Sequence, residues 1–139
     1  MKVQDCIFFQ LTKASQAGIA FWTDQVKHLG VTASQAMLLN FLGEEDRILS
    51  RSLGQKLQIS SATMTGILDR LEKLALVERQ PHPDDRRAIL ICLTAQGRKY
   101  AKEINMIMVK ANRAYLERLG AEQTKAIRET LKTLSKEIS

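Results

Sequence analysis

No apolar run in this 139-residue sequence approaches the roughly 20 residues that a membrane span requires; Met37-Leu38-Leu39 is typical of what is present. Cysteine is scarce as well. Cys6 and Cys92 lie far apart, so there is no disulfide framework. With only His28 and His82 beside them, neither pair has a metal-ligand spacing, and no metal or other cofactor is expected. A phosphate-binding glycine loop and a nucleophile paired with a base are also missing, which leaves an enzyme reading without support. Near the N-terminus, Cys6-Ile7-Phe8-Phe9 is too brief, between Asp5 and Gln10, to serve as the apolar region of a signal peptide. A cytoplasmic protein with no membrane partner is the expectation.

What is present suits one globular domain: 45% of residues are apolar and the length allows a real core. The net charge of +6 is unevenly spread. Residues 1–49 carry four Lys/Arg against five Asp/Glu, residues 50–93 seven against five, and residues 94–139 ten against five. Such a surplus attracts polyanions, nucleic acid or anionic surface alike, and a solvated helix face rich in lysine would show it too.

Helical periodicity dominates. From Asp5 to Leu29 the apolar residues Phe8, Leu11, Ala14, Ala17 or Gly18, Phe21 or Trp22, and Val26 recur at three- and four-residue steps. Thr32-Ala33-Ser34-Gln35 is a capping-box pattern that opens a second helix with Ala36, Leu39 and Leu42 inward. Gly43-Glu44-Glu45-Asp46 breaks it, and Ser50 is placed to cap a third helix carrying Leu53 and Leu57.

From Ser61 to Leu74 a further helix is expected, with Met64, Ile67, Leu68, Leu71 and Leu74 on one face and Ala62, Thr65, Gly66, Asp69, Arg70 and Lys73 on or beside the other. Small side chains near its start would let the helix N-terminus and its free N–H groups approach base edges and phosphates. A polar face is equally common on any surface helix. After Leu76 the period drops to two: Val77–Gln80 and Ala88–Leu93 read as a hairpin around Pro81, Pro83 and the tip Asp84-Asp85-Arg86-Arg87. Both prolines stiffen that loop, its arginines suit phosphates or a minor groove, and Asp85 is placed to hold a neighbouring arginine. A charged hairpin tip without a partner fits the pattern too.

Asp69-Arg70-Leu71-Glu72, Leu76-Val77-Glu78-Arg79, Asp84-Asp85-Arg86-Arg87-Ala88 and Leu93-Thr94-x-x-Gly97-Arg98 resemble, in order and spacing, the signature of the MarR family of bacterial transcriptional regulators. The resemblance runs from about Asp5 to Ile138. It implies a mainly α fold with a small β-hairpin wing, a winged helix-turn-helix over residues 32–97 and dimerisation helices over 1–31 and 98–139. It also implies a homodimer on double-stranded DNA, with contacts from Ser61, Thr63, Thr65, Gly66 and Arg70, a minor-groove Arg87, an orienting Asp85 and an accessory Arg86. One departure is Ala75, where the family often has glycine before the first wing strand. A left-handed backbone there would cost alanine roughly 1 kcal/mol.

Two apolar rows near the C-terminus need cover: Ile104, Ile107, Met108, Ala111, Tyr115 and Leu119, then Ile127, Leu131, Leu134 and Ile138. A twin subunit would supply it, and two-fold symmetry would then ask for an inverted repeat with half-sites about one helical turn apart. An intramolecular bundle is the alternative. For the signal, the resemblance implies a small aromatic or phenolic ligand, with Phe21, Trp22, His28, Met37 and Phe41 as candidate contacts, or oxidation of Cys6. The tyrosines that accompany the thiol of peroxide-sensing members are not near Cys6; this chain has Tyr100 and Tyr115. A winged helix used only for protein contacts would show an apolar outer face, whereas Thr65, Arg70, Arg86 and Arg87 stand there.

Overall fold

The computed structural model describes residues 1–136 in two compact units, 1–107 and 108 onward. In the first unit, α1 (Ile7–Val26) runs on through one 3-10 turn and stops at Gly30, whose φ of 73° is the left-handed conformation glycine tolerates. The capping box then starts α2 (Ala33–Glu44): Gln35 N donates to Thr32 Oγ1 at 3.2 Å and Thr32 N donates to Gln35 Oε1 at 3.0 Å. These reciprocal bonds satisfy two donors that the helix start would otherwise orphan.

A two-residue strand follows, β1 (Ile48–Leu49), and then α3 (Ser50–Leu57), α4 (Ser61–Lys73), β2 (Val77–Pro81), β3 (Ile89–Leu93) and the start of α5 (Ala95–Leu116). The strands form one antiparallel sheet in the order β1-β3-β2, with Val77 opposite Leu93 and Ile48 opposite Ile91. The wing is therefore a hairpin with a third, short strand. Two residues are too few to show a period-two signal, which is why sequence patterning missed β1. Ser50 also departs from expectation: it is the first residue of α3, Leu49 holds the cap position, and no side chain caps that end.

Leu38, Leu39 and Leu42 of α2, Leu53 of α3, Leu68 and Leu71 of α4, Ile91 of β3 and Ile104 of α5 are buried, so all these elements contribute to the core. Burying side chains of this kind is worth about 1.5–3 kcal/mol each. At the end of α4, Leu74 is exposed rather than inward, because the chain leaves the helix there and Ala75 takes φ 57°. The left-handed backbone considered from sequence is thus present, on an alanine.

On α1, Trp22 and Val26 are buried, but Ile7, Phe8 and Ile19 are exposed, Phe8 at 76%. The second unit holds the rest of α5 and α6 (Ala121–Leu134), in which Ile127, Leu131 and Leu134 are all exposed. Ile138 lies outside the described residues.

Candidate nucleic-acid interface

The α3–α4 pair turns through Gln58, a left-handed C-cap with φ 52°, and Ser60, whose hydroxyl accepts from Thr63 N at 3.2 Å and caps α4. Ser60 also donates to Thr63 Oγ1 at 3.0 Å, so the Thr63 hydroxyl belongs to the cap. Thr65 Oγ1 donates to Ser61 O at 2.9 Å, which commits its proton to the helix and leaves the oxygen able to accept. Ser61, Thr63, Thr65, Gly66 and Arg70 are all exposed on one short helix. A Cβ built on Gly66 meets nothing within 4 Å, so packing does not demand glycine at that position. The face is open and small at its start, and cationic at Arg70.

The wing tip is organised by its own backbone. His82 N donates to Ala88 O at 3.1 Å, Ala88 N to Asp85 O at 3.1 Å, and Asp84 N to the His82 ring Nδ1 at 3.1 Å. Asp85 Oδ1 accepts from Arg87 N at 2.9 Å. The orienting acid therefore holds the main chain of Arg87 and leaves its guanidinium, like that of Arg86, exposed. The contact that Asp85 makes with its neighbouring arginine is thus to the backbone N–H of Arg87.

Sequence reasoning missed a residue that joins the two surfaces. Arg79, on β2, sends Nη1 to Glu72 Oε1 at 2.7 Å and Nη2 to Asp69 Oδ1 at 2.9 Å, both on α4. Burial works against its charge, but the bonds to Glu72 and Asp69 outweigh that and hold the guanidinium above its ordinary pKa. Asp69 and Glu72 at i and i+3 share a helix face, and Arg79 follows seven residues after Glu72; that spacing was the available signal.

At the root of the wing, Asp46 Oδ1 accepts from Leu93 N and from Arg47 N, each at 2.8 Å, and Arg98 Nη1 lies 3.3 Å from its other oxygen. Arg47, with φ 57°, reaches Gln80 Oε1 at 2.6 Å and Cys92 Sγ at 3.8 Å. Burial pushes the Cys92 thiol up, and nearby Arg47 offsets this only in part, so Cys92 is a packed thiol.

The remaining expected positions differ in their surroundings. Trp22 is buried with Nε1 donating to Ala33 O at 3.2 Å, a packing role. His28 is exposed, 4.0 Å from Glu103; Met37 is exposed; Phe21 and Phe41 are half-buried, the latter with Lys56 6.0 Å from its ring centre. Cys6 is half-buried at the N-cap of α1. A cleft of about 630 Å³ opens between α2 and α5, with Asn40, Leu42, Leu93, Arg98, Lys102 and Asn105 in its walls, and none of the five expected ligand contacts lines it.

Two exposed surfaces, a capped helix of small outward residues and a hairpin tip where exposed Arg86 and Arg87 follow exposed Asp84 and Asp85, are thus fixed on one frame. A family model described as MarR family matches residues 29–88, the span from the end of α1 to the wing tip. The chain belongs to the MarR family. Among MarR relatives, the organic hydroperoxide resistance transcriptional regulator of Bacillus subtilis is 29% identical over 97 residues, 70% of this chain and 66% of that protein, just under two thirds of its length. The crystal structure of a probable transcriptional regulator from Pseudomonas aeruginosa superposes with TM-score 0.88 at 29% identity, covering 96% of this chain and 99% of that one. A MarR mutant from E. coli complexed with operator DNA has the same fold, with TM-score 0.84 at 23% identity and 91% of each chain covered. These MarR relatives are transcriptional regulators, a non-enzymatic class. Among the described residues of this MarR chain, no helix is long and apolar enough to cross a membrane.

Proposed function

We propose that this chain is a cytoplasmic, homodimeric, sequence-specific DNA-binding repressor. In this reading α4 enters a major groove, and the wing reaches the flanking minor groove with Arg87 while Arg86 meets a phosphate. The observation that carries it is the open face of α4: Gly66 has no packing reason to be glycine, yet stands between Thr65 and Arg70 on a capped helix start. Close approach of another backbone is what such a face permits. Exposed Phe8, Ile19, Ile127, Leu131 and Leu134 support a second copy as the cover for the terminal helices. The relative solved with operator DNA supports the same reading.

The effector is a small phenolic or aromatic compound, held either at Phe21, His28, Met37 and Phe41 or in the α2–α5 cleft, where Arg98 and Lys102 stand beside the acids Glu44 and Asp46. A second reading, oxidant sensing at Cys6, is favoured by the hydroperoxide-resistance regulator among the relatives and by the partial exposure of the thiol.

Selection of bound duplexes from a random pool, with and without phenolic ligands or peroxide, tests this reading. An inverted repeat should emerge, released by one class of signal. Gly66→Leu should fold normally and lose about tenfold or more in affinity, equivalent to about 1.4 kcal/mol. Unchanged affinity in that variant would remove α4 as the reading element, and Arg87→Ala does the same for the wing.

A further inference from the structure

Arg79 lies on β2, outside both surfaces assigned to DNA, yet its guanidinium is committed twice to the helix proposed to read bases. The two carboxylates it holds, Asp69 and Glu72, alternate along α4 with the cations Arg70 and Lys73. The second half of this helix therefore carries as much negative as positive charge, an unfavourable composition for an element that approaches a polyanion. Side-chain exposure is 55% for Asp69 and 37% for Glu72, so both carboxylates stand where DNA phosphates would feel them.

We propose that Arg79 is a positioning residue that acts electrostatically. It holds both carboxylates against β2 and cancels one of their two charges, so that Arg70 and Lys73 prevail where α4 meets DNA. The inference rests on the DNA-binding reading. The geometry needs arginine, because one planar guanidinium offers separate nitrogens to two carboxylates while a lysine offers a single ammonium. Without Arg79 the trio changes from one net negative charge to two, and the carboxylates are released toward solvent on the cationic side of the helix.

The test measures affinity for the selected duplex across a salt series, with melting temperature recorded for every variant. Arg79→Met should weaken binding about tenfold at roughly 0.1 M salt, where the Debye length is about 10 Å, and by less at high salt, where repulsion is screened. Adding Asp69→Asn and Glu72→Gln to Arg79→Met should restore affinity to wild type or better, because no acid remains to be cancelled. If the triple variant binds as poorly as Arg79→Met, Arg79 acts through the fold and the proposal fails. Should Arg79→Met not fold, Asp69→Asn/Glu72→Gln with Arg79 retained gives the second measurement: tighter low-salt binding than wild type is expected, and equal or weaker binding overturns the idea. A wild-type protein that selects no duplex overturns the DNA reading along with this one, whereas a wild type that binds beside an unrescued triple variant overturns this one alone.

Discussion

The root of the wing is tied to the loop after α2, to α4 and to α5, while its tip, only a few residues away, is bonded to itself. At the root, Asp46 holds the end of β3, Arg79 holds α4, and Thr94 binds the turn after α4 through its hydroxyl, which donates to Ala75 O at 2.7 Å and accepts from Gly97 N at 2.9 Å. At the tip the bonds run between residues 82 and 88, and the side chains of Arg86 and Arg87 are exposed. The two regions divide the work of the wing. Stability is placed in the frame, and charge is placed where removing it costs the fold nothing. A change at the root should therefore be read by unfolding, Arg79 excepted because its charge bears on binding, and one at the tip by binding.

The sharpest way to break that contrast is at Gly97. A Cβ there would overlap the Leu76 carbonyl oxygen and come within 2.9 Å of its carbon, both backbone atoms with no freedom to swing aside. Gly97→Ala should therefore destabilise by about 3 kcal/mol despite the higher helix propensity of alanine. Arg87→Ala should stay within about 0.5 kcal/mol of wild type, as exposed sites do. Denaturant unfolding of both variants checks the pair, and equal stabilities would erase the distinction between root and tip.

Asp46→Ala is the next largest. It leaves the Leu93 N–H without its partner at the end of the central strand β3, a loss of about 1–3 kcal/mol. Its ion pair with Arg98 adds little, because Arg98 is mostly exposed. Asp46→Asn keeps an acceptor and should recover most of the loss; if it is as damaging as alanine, the charge rather than the hydrogen bond secures β3.

These root contacts also show what could be read from sequence. The helices, the capping box at Thr32 and the hairpin follow from local periodicity and cap chemistry, so they were legible. Gly97 was visible as a motif letter, but its reason, the Leu76 carbonyl lying against its Cα, joins residues 21 positions apart and appears only in three dimensions. The same holds for Asp46, which read as one of a run of loop acids and instead accepts from a residue 47 positions away. Residue types at the candidate interface were legible because an exposed face is a local pattern. Which charges cancel across elements was not, since the spacing of Asp69, Glu72 and Arg79 gains a meaning only once β2 is seen to lie against α4.

Ala75 carries the smallest expected effect and the opposite sign. It belongs to the root: its N–H donates to Glu72 O at 2.9 Å, its carbonyl accepts from Thr94, and its φ of 57° is set by that double hold. Alanine in this conformation brings Cβ against its own carbonyl at roughly 1–2 kcal/mol, and glycine removes the clash. Glycine also widens the unfolded ensemble, returning about 0.4–1 kcal/mol of the gain. Ala75→Gly should thus raise stability by something under about 1 kcal/mol, measured as a higher denaturation midpoint at unchanged slope. DNA affinity should not move, because the turn touches neither α4's outer face nor the tip. A midpoint that falls would mean that the contacts made by the Ala75 methyl outweigh its strain; a changed affinity would mean that this turn, not Arg79 alone, sets how the wing meets the helix.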